Sequence, residues 1–126
     1  MSEHLIRLRG GWEFHMGESV RRLALPLTWP PGLVSRVRLV RPFNRPPIDL
    51  QSERLGLRLD DVRGLLAVRL NGRELARPAP GTSMLELPLD EPLPARNVLE
   101  LDVAPETTVE PAAWGRIALV IRPRGG

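Results

Sequence analysis

Cysteine, lysine and tyrosine are absent from this 126-residue chain, and each absence closes off some chemistry. Without cysteine there is no disulfide and no thiolate metal site. Without lysine or tyrosine nothing titrates between histidine and arginine, so the net charge of +3 persists to very high pH. Aromatics are scarce: three Trp and two Phe are the only large rings available to a core or a binding rim. The two histidines, His4 and His15, both lie near one end, which disfavours a histidine-based zinc site or a Ser-His-Asp triad. Neither a G-x-S-x-G elbow nor a P-loop occurs. No run approaches the ~20 apolar residues of a membrane span. The first residues, "MSEHLIRLRGGWEF", lack the apolar stretch of a signal peptide. A cytoplasmic protein without a membrane partner is therefore expected, with secretion expected only if the chain is a fragment.

Arginine, proline and glycine are abundant instead. All 18 basic residues are arginine; residues 1–60 hold ten against six acids, and residues 61–126 hold eight against nine. That balance gives no charge argument for a nucleic-acid partner. Fourteen prolines and eleven glycines break the chain too often for long helices. A single domain over residues 1–126 is expected, long enough to bury roughly two-thirds of its unfolded surface.

Period-two alternation recurs along the chain. Val37 and Leu39 oppose Arg36 and Arg38; Leu55, Leu57 and Leu59 oppose Gly56 and Arg58. Leu66, Val68 and Leu70 align, as do Leu85, Leu87 and Leu89, and then Leu99, Leu101 and Val103. In "RIALVIRP" Ile117, Leu119 and Ile121 form one face, but Ala118 and Val120 make the other apolar too. With "HLIRLR", "WEFHM" and "VRRLALPL" added, the pattern predicts an all-β antiparallel jelly-roll sandwich of about eight or nine strands. The predicted core is Leu39, Leu57, Leu59, Val68, Leu70, Leu87, Leu99, Leu101 and Leu119. Asn71-Gly72 supplies the two positive-φ positions of a type I′ turn, so Leu66–Leu70 is expected to pair with Arg73–Ala76. Two long loops, Arg41–Glu53 and Pro105–Gly115, are where binding residues are expected.

Several stretches, taken in order, point to one family: "LRGGWEF", "LPLTWP", "VRLVRPFNRPP", "LGLRLDDVRGLLAVRLNGREL" and "NVLELDV". The chain resembles the galactose-binding-like jelly-roll domain, in particular the N-terminal sugar-binding module of family two glycoside hydrolases of the β-galactosidase and β-glucuronidase type. The residues that carry the resemblance are Trp12 with Phe14, Arg41 with Phe43, Asn71 with Gly72, and Asn97 with Leu99, within about residues 8–122. It departs from the pattern at Val40, where an aromatic is usual, and near "MLELPL", which lacks an aromatic and an Asp-x-Thr. No catalytic barrel lies within this stretch, so the resemblance implies a stand-alone, non-catalytic, carbohydrate-binding-like module.

The residues themselves suggest two candidate surfaces. Sugars stack on aromatic rings, which singles out Trp29 and Trp114 on loops, with core anchoring as the alternative. Arg36, Arg38, Arg58 and Arg69 fall on polar faces and, on neighbouring strands, would form a cationic stripe for acidic or sulfated glycans. The alternative for the stripe is a solvated face of cross-strand ion pairs to Glu86, Glu100 and Asp102. A further alternative function is an assembly subunit, forming a homo-oligomer or binding another protein, because the two-sided apolar strand Ile117–Ile121 must be covered by something. The pairs Asp60-Asp61 and Asp90-Glu91 read as turn residues rather than glycosidase carboxylates, so no enzyme activity is expected. Asp49, Asp60, Asp61 and Glu110 are conceivable calcium donors, but their spacing is not diagnostic and no cofactor or metal site is predicted.

Overall fold

The computed structural model describes residues 3–29, 35–105 and 112–124. Ten strands form among them: β1 (His4–Arg7), β2 (Trp12–Met16), β3 (Ser19–Leu23), β4 (Val37–Asn44), β5 (Glu53–Asp60), β6 (Leu65–Leu70), β7 (Arg73–Ala76), β8 (Met84–Pro88), β9 (Arg96–Val103) and β10 (Arg116–Pro123). The four-stranded sheet has the order β1-β10-β5-β8, and the six-stranded sheet β3-β2-β4-β9-β6-β7. Every pairing is antiparallel. This is the expected jelly-roll sandwich, with the short return arm β7 counted as a strand of its own.

Alternation builds the core. Val37, Leu39 and Phe43 of β4, with Leu99, Leu101 and Val103 of β9, face Leu55, Leu57 and Leu59 of β5 and Ile117, Leu119 and Ile121 of β10, all buried. Each such side chain contributes about 1.5–3 kcal/mol by leaving water. Eight of the nine predicted core residues are buried; Leu87 is half-buried because β8 is an edge strand.

The β6 alignment differs from the expectation. Leu65, not Leu66, enters the core with Val68 and Leu70. Leu65 pairs with Val103 and Ala67 with Asp102, so Leu66 is the extra residue of a bulge. A bulge inserts one residue and reverses the in–out parity beyond it, which a strict two-residue period cannot register.

Asn71 and Gly72 take φ values of 53° and 82°, as the hairpin turn requires. Asn71 also ties the turn to β9. Its Nδ2 donates to Asn97 Oδ1 at 3.0 Å, and its Oδ1 accepts from the Val98 amide at 2.9 Å. Asn97, buried, passes the network on by donating to the Pro94 carbonyl at 3.1 Å. Part of the predicted first loop is strand: β4 continues through Arg41–Asn44. Pro42 is tolerated there because β2 pairs with β4 only from Arg38 to Val40, leaving the proline's other edge without a ladder to interrupt.

Candidate functional site

The outer face of the six-stranded sheet carries charge of alternating sign. Arg38 on β4 lies opposite Asp102 on β9, and Arg69 on β6 lies opposite Glu100 on the same strand. Arg38 Nε donates to Asp102 Oδ1 at 3.2 Å, and Arg69 Nη2 donates to Asp102 Oδ2. Glu100 lies 3.8 Å from the Nε of each arginine. Burial works against the Asp102 carboxylate, but the hydrogen bonds from Arg69 and Arg38 outweigh it and hold the group below its usual range. The bond from Asp102 likewise raises Arg69.

Beside this lattice the surface dips into an open concavity of about 580 Å³. Arg36, Arg38, Arg77, His15 and Asp102 supply its polar lining, and the bulged Leu66 an apolar wall. Arg36 stands just before β4 and Arg77 just after β7, both exposed. Arg77 Nε meets Glu74 at 2.8 Å, and the His15 ring nitrogen lies 3.3 Å from Glu13. Arg77 and His15 were not singled out by sequence; Arg77 follows a strand of four residues, too short for its face to be read.

Arg58 is not part of this face. It belongs to β5 in the other sheet, so the predicted single stripe of four arginines does not exist. Its Nη2 lies 3.0 Å from Glu3 and 4.0 Å from Glu86. Arg122 bridges the same two acids at 3.0 and 2.6 Å. The expected cross-strand pairs to Glu86, Glu100 and Asp102 are therefore all present. Beneath the second network Val120 is 1% exposed and Ala118 8%. The outer apolar face of β10 is covered within the chain, which removes the observation that called for a partner there.

Trp29 and Trp114 are also core residues rather than open platforms. They are 8% and 4% exposed, with ring centroids 5.2 Å apart, and Phe14 lies 6.0 Å from Trp29. Trp114 is paired to Leu27 through both backbone groups, at 3.0 and 2.7 Å, and its indole donates to the Arg63 carbonyl at 2.8 Å. The rest of the predicted second loop, residues 106–111, lies outside the described residues, and Glu110 with it.

A second crevice, of about 370 Å³, opens at the hairpin end of the sandwich. Leu70, Leu75, Leu89 and Leu93 line it, with Asp90 and Glu91 at its mouth. Arg73 closes on Glu91 at 3.2 Å. The other acidic pair behaves as a turn: Asp61 has φ 55° and pairs with Arg116. Among the described residues no group of three or more His, Asp or Glu is placed to hold a metal ion.

No family model matches the sequence, and a search of curated proteins finds no match. Solved structures do match. The chain has the fold of a domain carried by bacterial β-glucuronidases. An FMN-binding β-glucuronidase from Faecalibacterium prausnitzii L2-6 superposes with a TM-score of 0.76 at 21% identity, over 96% of this chain and 23% of that one. A β-glucuronidase from an uncultured Clostridium gives 0.71 at 18% identity, over 94% and 29%. A glycosyl hydrolase family 2 member from Bacteroides cellulosilyticus gives 0.66 at 17% identity, over 92% and 20%. The chain thus spans less than a third of the length of these three proteins, and the likeness is one of fold.

Proposed function

We propose that this protein is a non-catalytic, carbohydrate-binding-like module, and that the concavity on the outer face of its six-stranded sheet is the binding surface. The observation that carries the reading is the fold match over nearly the whole chain to a domain found within carbohydrate hydrolases. The concavity supports it: a shallow site with convergent arginine, histidine and carboxylate groups beside an apolar wall suits a polyhydroxylated ligand. Asp102 and Glu100 are committed to Arg38 and Arg69 rather than left as an acid and a nucleophile across a cleft. Calorimetric titration with a panel of neutral and acidic oligosaccharides tests the proposal. Saccharide binding without turnover is the expected result. If none binds at millimolar concentration, the reading fails.

A further inference from the structure

On the reading that the concavity binds saccharides, we propose that its ligand is an anionic saccharide, one carrying carboxylate or sulfate groups, and that the charged group seats on Arg36 and Arg77. Ring availability is the first reason. Neutral sugars gain most of their affinity by stacking on aromatic faces, and this surface offers none. Trp12, Trp29, Phe43 and Trp114 are buried, and Phe14 is half-buried against Trp29. Affinity here must come from charge and hydrogen bonds.

The sign of that charge is the second reason. Three arginines line the concavity against one carboxylate, Asp102, and that carboxylate is already neutralised by Arg69 and Arg38. The arginines divide by availability. Arg69 is 20% exposed in its side chain and tied to β9, so it belongs to the floor of the sheet. Arg77 is 72% exposed and engages Glu74 through Nε, with no other ion pair among the described residues. Arg36 has no carboxylate within ion-pair distance among the described residues. The terminal guanidinium nitrogens of both can form the paired hydrogen bonds that carboxylate and sulfate accept. Arg38 engages its acids through Nε and flanks the seat.

The test uses the full chain and four probes of similar length: an oligogalacturonate, a heparin-derived sulfated oligosaccharide, a neutral β-glucan oligosaccharide and a single-stranded DNA. Calorimetry at low salt is expected to show binding of one or both acidic saccharides, the two arms separating carboxylate from sulfate, with affinity falling steeply as salt screens the charges. The double variant Arg36→Ala, Arg77→Ala is expected to weaken that binding by about tenfold or more, as expected for lost charge-assisted bonds, with an unchanged melting temperature. Arg58→Ala, on the opposite sheet, is expected to leave it unchanged. Equal affinity for the neutral probe overturns the inference while leaving the saccharide-binding reading standing; absence of all saccharide binding overturns both. Equal affinity for DNA, or an equal loss in Arg58→Ala, reduces the effect to unspecific polyanion attraction and overturns the inference.

Discussion

Asp102 sits between Arg38 and Arg69, and its ionisation links the outer face to stability. Its folded-state pKa lies below the unfolded carboxylate value of ~3.9. A depressed carboxylate stabilises fully above the unfolded value and loses that contribution as pH falls through the folded one. Asp102→Asn removes the charge at every pH. The expected result is a loss of about 1 kcal/mol at neutral pH, with the gap to the native protein closing as the solution is acidified below about pH 4. Thermal melts across that range measure it; a gap that stays constant with pH contradicts the assignment. This pairing was legible in sequence, because Arg38 and Arg69 fall out of phase with their core neighbours Val37, Leu39, Val68 and Leu70 just as Glu100 and Asp102 do with theirs. The fate of Trp29 and Trp114 was not: a tryptophan in a loop looks the same in sequence whether its ring turns inward or outward.

At the scale of the element, β6 separates pattern from register. A two-residue period counted back from Leu70 selects Val68 and Leu66, while the bulge places Leu65 inside and Leu66 on the wall of the concavity. Leu65→Ala is expected to cost about 2–4 kcal/mol, and Leu66→Ala well under half of that. Denaturant unfolding of the two variants measures the difference; equal losses would mean that the bulge is misplaced. The neighbouring hairpin shows the reverse situation. Asn-Gly declares its turn locally because few other dipeptides accept two positive φ angles, and β7 follows as expected. What the dipeptide does not declare is its bond to Asn97, 26 residues on, which requires β9 to lie alongside.

For the whole molecule, two features hold the sandwich closed beyond its inner faces. At one end, Trp114 and Trp29 meet as tilted rings, 56° apart in plane, where the Leu27 segment pairs with Trp114. Trp114→Ala is expected to cost about 3–5 kcal/mol, read as a fall in melting temperature, while any saccharide affinity measured well below that temperature is unchanged. A loss of affinity with unaltered stability would return Trp114 to the binding surface. On the outer face of the four-stranded sheet, Glu3, Arg58, Arg122 and Glu86 form an ion-pair network on the strands around Val120, which is 1% exposed. Hydrogen bonding from Arg58 and then Arg122 keeps Glu3 below its ordinary pKa. Exposed pairs of this kind add little stability individually, but their aliphatic stems shield apolar surface that the sheet leaves facing outward.

The alternation of leucine and valine by itself determined an antiparallel sandwich and most of its core, since every second side chain of a strand must share a face. The order of the short motifs determined which known domain the chain resembles. Tertiary structure alone decided that Arg58 lies on the opposite side from Arg36, Arg38 and Arg69, because sheet membership is set by crossovers between strands distant in sequence. It also decided that the tryptophans are buried and that Arg36 and Arg77, 41 positions apart, line one concavity. Local periodicity fixes which way a residue points within its strand; only the packing of whole strands fixes what it points toward.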